Sequence, residues 1–197
     1  MKIIAITDRK LVDGPFMECV NKVAEAKPDA IILREKDVNV GVFKMLAHGA
    51  MDSCAKNRVT LVLNTFFNVA KELKVGKCQL PMDVLREYSK ELKGLKVGAS
   101  IHSLDELREA EQYGVDWVLF GNVFETSCKP GQPAAGLDLL KKVCEESKVP
   151  VYAVGGITPE NARSCMEAGA AGVCARSSFM TCEDPKALVE EFRKALG

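Results

Sequence analysis

Short apolar runs, many of them β-branched, recur along the chain. Each is followed by a polar turn and then by a stretch with helical periodicity. The runs are Ile3–Ile6, Ala30–Leu33, Val59–Leu63, Lys77–Leu80, Lys96–Ser100, Val115–Phe120, Val149–Val154 and Ala171–Ala175. Several are continuous rather than alternating, the pattern of strands buried on both faces. Lys77–Leu80 is the weakest of them, being short and polar.

Between the runs, Phe16, Val20, Val23 and Ala24 share one helical face, and Phe43, Leu46, Ala50 and Cys54 share another. Ser103 followed by Glu106 reads as a capping box, with Gly114 as the stop. Thr158-Pro159 reads as N-cap and first helical residue, with Gly169 closing the helix. Asp184-Pro185 opens a last helix whose inner face is Leu188, Val189, Phe192 and Leu196. Strand starts about 18 to 35 residues apart are βα-unit spacing. Such alternation implies parallel strands with right-handed crossovers. Eight units predict a (β/α)8 TIM barrel, one α/β domain over residues 1–197. That length sits just below the usual range for the fold, so the loops must be short. Fewer units would give an open doubly wound sheet.

Composition narrows the function classes. Twenty-seven Lys+Arg balance 27 Asp+Glu. A chain with no net field is poorly suited to nucleic acid, which is not expected as a partner. The eight cysteines include no C-x-x-C pair, and most lie in apolar runs, as reduced core thiols do. No basic start leads into a long apolar stretch, and no apolar segment reaches the roughly 20 residues of a membrane span. The expected compartment is the cytoplasm, with no membrane partner.

In a barrel, active sites form where the strands end. The polar residues closing the runs are Thr7-Asp8, Arg34-Glu35-Lys36, Asn64, Gln79, Ser100 with His102, Gly121-Asn122, Gly155-Gly156 and Arg176-Ser177-Ser178. Their convergence on one mouth points to a small phosphorylated ligand. Gly155-Gly156 lets backbone N–H groups approach an anion with no Cβ in the way, and Ser177 adds a hydroxyl after the eighth strand. The alternative is that the two glycines only make a tight turn. Period two aims Arg34 and Lys36 the same way, into the mouth if the register is right. Otherwise they point out or pair with Asp8, Asp37 or Asp83. Lys129, in the loop Phe124–Gly131, is either solvent-exposed or a cation on a closing loop. Of the two histidines, His48 lies on a helix surface, whereas His102 at a strand end either exchanges protons or orients a loop. Metal ligation has little support: Asp83 is one carboxylate and not a site.

Taken together, the segments resemble the thiamine-phosphate synthase superfamily nearly end to end. They include Ala5-Ile6-Thr7-Asp8, Leu33-Arg34-Glu35-Lys36-Asp37, Gln79-Leu80-Pro81, Gly98–Ser103, Val118–Lys129 and Ala153–Ile157. The resemblance implies a (β/α)8 barrel and a thiazole phosphate held near Gly156 and Ser177. In the synthase a pyrimidine pyrophosphate joins the thiazole phosphate, releasing pyrophosphate with Mg²⁺ bound. In the TenI branch, the thiazole tautomerases, the thiazole carboxylate phosphate is isomerised with no cofactor required. Both imply a small phosphorylated thiazole as partner, and barrels of this family commonly form homodimers.

Departures from the synthase pattern favour the TenI branch as the expectation. The synthase has Asn-Asp after the third strand, the Asp helping to bind Mg²⁺; here the pair is Asn64-Thr65. It has Gln where Ile32 stands, and Thr-x-Thr-Lys where Thr126-Ser127-Cys128-Lys129 stands. The tautomerase's catalytic His corresponds to Asn122, which cannot exchange a proton near neutral pH. The leading expectation is therefore an isomerase with Asn122 orienting the substrate and His102 as the candidate proton carrier. Gly155, Gly156 and Ser177 are then expected on phosphate, and Arg34, Lys36, Asn64, Ser100, Thr126 and Lys129 on the rest of the substrate. The alternatives are a synthase using Mg²⁺ with help from Asp83, or a non-catalytic binding protein with a regulatory role.

Overall fold

Eight parallel strands close in sequence order into a barrel, β1 pairing with both β2 and β8. The computed structural model describes residues 1–126, 131 and 133–197. The strands are β1 Lys2–Ile6, β2 Ala30–Leu33, β3 Thr60–Asn64, β4 Lys77–Pro81, β5 Lys96–Ile101, β6 Trp117–Gly121, β7 Val151–Val154 and β8 Gly172–Ala175. Around them lie α1 Phe16–Glu25, α2 Val40–Asn57, α3 Phe67–Glu72, α4 Met82–Tyr88, α5 Leu104–Gln112, α6 Gly136–Glu146, α7 Pro159–Glu167, α8 Ser177–Thr181 and α9 Pro185–Leu196. The expected (β/α)8 barrel is present, with each strand within two residues of its apolar run. No helix among the described residues is long and apolar enough to cross a membrane.

Alternation along the strands divides the core in two. Ile4, Ile6, Ala30, Ile32, Val62, Leu119 and Cys174 fill the barrel interior, with Trp117, Tyr152 and Val154 packed on them. The intervening residues, such as Ile3, Ala5, Ile31 and Leu33, face the helices and join the larger outer core. Both faces are apolar, which is why the runs read as continuous rather than alternating.

The caps follow from local chemistry. Ser103 Oγ accepts from Glu106 N–H at 3.1 Å, but Glu106 returns its carboxylate to His102 N–H at 2.7 Å, one residue earlier than a capping box would. Asn161 Oδ1 accepts from Thr158 N–H at 2.9 Å at the start of α7. Asp184 Oδ1 takes the N–H groups of Lys186 and Ala187 at 3.0 and 3.1 Å, opening α9. Val189 and Phe192 are the fully buried part of its inner face, Leu188 and Leu196 its margins.

At the end of the barrel where the strands begin, one device is used twice. Asp29, just before β2, accepts from Ile3 N–H at 2.9 Å and donates its own N–H to Ile3 O at 2.8 Å. Asp116, just before β6, does the same with Val97, both distances being 2.7 Å. Each Asp clamps the preceding neighbour strand and fixes where its own begins. This is why β6 starts at Trp117 and not at Val115.

Candidate active site

The inward register of the strands runs on towards the loops at the opposite end, where polar residues replace the apolar ones of the barrel interior. Arg34 and Lys36 continue β2, Asn64 ends β3, Ser100 lies near the end of β5 with His102 just beyond it, and all five line the cavity. It measures about 210 Å³.

What aims the two cations is the residue between them. Glu35 points the other way and is 2% exposed. Thr7 Oγ donates to Glu35 Oε1 at 2.8 Å and accepts from Arg34 N–H at 2.9 Å. Glu35 also takes Arg9 N–H at 3.2 Å and the Arg9 guanidinium at 3.4 Å. This buttress fixes the end of β2 against β1, so alternation sends Arg34 and Lys36 into the mouth. Asp37 turns away from the mouth to Arg9 and Lys10, whose hydrogen bonds hold its carboxyl far below the usual range.

On the other side of β1, Gly155, Gly156 and Ser177 line the wall formed by the ends of β7 and β8. Gly155 has φ +101° and a Cβ there would sit 2.5 Å from Asn122 Cβ. Gly156 has φ +65° and a Cβ would meet Glu125 O at 2.4 Å. The β6 loop lies directly on this turn, Phe124 N–H donating to Gly155 O at 3.0 Å. The two glycines therefore make a tight, closely packed turn, and that turn borders the cavity.

Amide and hydroxyl groups form the floor. Gln79, 1% exposed, accepts from Trp117 Nε1 at 2.7 Å and donates to Ser100 Oγ at 3.0 Å. Asn64 Nδ2 donates to Thr65 Oγ1 at 2.7 Å. Asn122 lines the cavity and is 8% exposed, and its Nδ2 has no hydrogen-bond partner among the described residues. A buried N–H₂ group left without an acceptor at a cavity wall is poised for a ligand acceptor. His102 contacts the Gly121 carbonyl through Nδ1. Thr126 also lines the mouth. Lys129 and Cys128 lie outside the described residues.

Arg176, expected among the polar residues closing the runs but given no role there, follows Cys174 in the inward register of β8, lines the mouth, and pairs with Asp8 at 3.1 Å. The expectation for Asp83 is corrected. It is exposed in the first turn of α4 and does not line the cavity.

The donor set does not fit a Mg²⁺ ion held by the protein. No carboxylate is among the described residues lining the mouth, and no group of three His, Cys, Asp or Glu among the described residues could hold a metal. Ser127–Pro130 and Gln132 contain no Asp or Glu. Mg²⁺ sites ordinarily anchor on one or two carboxylates besides substrate phosphate.

The sequence profile described as thiamine monophosphate synthase matches residues 3–179. The chain belongs to the thiamine monophosphate synthase family. Within that family, a thiamine-phosphate synthase of Pyrococcus furiosus is 33% identical over 98% of this chain and 94% of its own length. A putative thiamine-phosphate synthase 2 of Aquifex aeolicus is 32% identical over 91% of this chain and 97% of its own. A solved thiamine phosphate pyrophosphorylase from Pyrococcus furiosus superposes with a TM-score of 0.85 at 30% identity, covering 99% of this chain and 95% of that one. A geranylgeranylglyceryl phosphate synthase from Thermoplasma acidophilum, TM-score 0.72 at 15% identity, shares the fold alone.

These relatives correct the expected isomerase. Similar proteins of this family carry the synthase name, a transferase activity, and the TenI branch is not singled out. Asn122 has no titrating group, and His102 turns one ring nitrogen to a backbone carbonyl. The chain has Thr65 and Ile32 while its similar relatives carry the synthase name, so those two residues do not mark a different reaction.

Proposed function

We propose that this chain is a thiamine-phosphate synthase, transferring a pyrimidine from its pyrophosphate to a thiazole phosphate with release of pyrophosphate. The observation that carries this reading is a mouth with two separate anion-suited walls. Gly155, Gly156 and Ser177 form one, after β7 and β8, where barrels of this type bind phosphate. Arg34 and Lys36 form the other, on β2. A synthase must hold two phosphorylated substrates at once, and the similarity to named synthases supports that pairing.

In this reading the thiazole phosphate sits on the glycine wall, and the departing pyrophosphate on Arg34 and Lys36. Preformed cations at the point where leaving-group charge develops stabilise the transition state more than the ground state. Asn122 donates its amide to a substrate acceptor, while Ser100, held by Gln79, and Asn64 fix the orientation from the floor. Ile6, Ile32 and Leu119 give the rings an apolar base. Thr126, at the rim of the mouth, contacts the substrates.

Incubation with both precursors tests it. Thiamine phosphate and pyrophosphate are expected in equal amounts, and folded protein that yields neither overturns the reading.

A further inference from the structure

The mouth combines cationic side chains with a lack of carboxylates. Arg34, Lys36 and Arg176 all line it, and no Asp or Glu does among the described residues. Two of the nearby acids are committed away from it: Glu35 is buried against Thr7 and Arg9, and Asp37 is held by Arg9 and Lys10. Asp8 does not itself line the mouth, and its carboxylate is taken by Arg176 at 3.1 Å. The neutral oxygens are also poor metal anchors. Gln79 Oε1 already accepts from Trp117, which leaves the Asn64 amide oxygen and a few hydroxyls. A divalent cation entering such a mouth would meet like charge and no anionic protein ligand.

We infer that this site takes pyrophosphate as the metal-free anion, its charge met by Arg34, Lys36 and Arg176 in place of a protein-bound Mg²⁺. The inference rests on the synthase reading, which is what puts a pyrophosphate in the mouth. Arg and Lys serve here as a fixed counter-charge: guanidinium forks match phosphate oxygens in pairs, and an ammonium adds a point charge. Position 65 is where the exchange is visible. Thr65 Oγ1 lies 2.7 Å from the Asn64 amide that lines the mouth, and Thr stands where the synthase pattern has its metal-binding Asp.

The test is calorimetric titration of inorganic pyrophosphate into the full chain, once with a chelator and once with excess Mg²⁺. Affinity with the chelator is expected to equal or exceed that with Mg²⁺. Lys36→Gln is expected to weaken binding about tenfold or more under both conditions. Thr65→Asp is expected to reverse the metal preference, with Mg²⁺ now tightening binding about tenfold. Binding seen only with Mg²⁺ overturns the inference and leaves the synthase reading intact. Pyrophosphate binding in neither condition overturns both. Metal-free binding without thiamine phosphate formation upholds the inference and removes the synthase reading. Should either variant fail to fold, judged by its thermal melt, the comparison on the native chain decides alone.

Discussion

Trp117 Nε1 donates to Gln79 Oε1 at 2.7 Å through the space a Cβ on Gly98 would occupy. That Cβ would lie 2.0 Å from the indole nitrogen and 2.3 Å from the amide oxygen. Gln79 in turn holds Ser100 at the mouth, so the absence of one methyl group in β5 supports a hydrogen-bond chain from barrel interior to site. Gly98→Ala is expected to cost about 2–4 kcal/mol, from overpacking and a broken buried hydrogen bond. Thermal or denaturant unfolding checks it.

The Thr7–Glu35 buttress gives a second prediction. Thr7→Val keeps the shape but removes the hydroxyl that donates to Glu35 and accepts from Arg34 N–H. A stability loss of about 1–3 kcal/mol follows from leaving those buried groups unsatisfied. A looser Arg34 should also lower kcat/KM for transfer, whereas an unchanged kcat/KM would show that the β2 end is held some other way.

Asn122 behaves differently if it waits for ligand. Its amide nitrogen is buried without a partner among the described residues, so the ligand-free chain carries a desolvation cost. Asn122→Ala is expected to leave unliganded stability unchanged or raise it by up to about 1 kcal/mol, while weakening thiazole phosphate binding about tenfold. A melt and a titration on the same sample distinguish this from an ordinary packing residue, which would lose stability.

Acid unfolding should report Asp29. Burial alone would raise its carboxyl, but the Lys2 ammonium at 2.8 Å and Ile3 N–H at 2.9 Å outweigh that and hold it low. A depressed carboxyl stabilises the fold above its unfolded value and loses that contribution as pH falls through the folded one. Stability is therefore expected to decline as pH drops below about 4, and Asp29→Asn to flatten that decline. Unfolding curves across the acid range check the slope.

Much of this was legible in the chain because the barrel imposes period two. Apolar runs gave the strands, and their polar ends gave the mouth: Arg34, Lys36, Asn64 and Ser100 stand where alternation puts them. What lay outside sequence reasoning was pairing across strands. Nothing near Gln79 announces Trp117 as its partner, and nothing near Asp8 announces Arg176, because those residues are far apart in the chain. β4 looked weak because it is short and polar, and its inward Gln79 is satisfied by a residue two strands away. Asp83, considered only as a helper for Mg²⁺ in the synthase alternative, is carried outward because α4 begins at Met82.

The location of the chemistry is tested most directly by kcat/KM for thiamine phosphate formation in three proteins: the native chain, Lys36→Ala and Asp83→Ala. Removing a cation that meets leaving-group charge is expected to cost about 100-fold, and removing the exposed α4 carboxylate to change nothing. An undiminished Lys36→Ala beside a crippled Asp83→Ala would contradict the account, as would the absence of thiamine phosphate from the native chain.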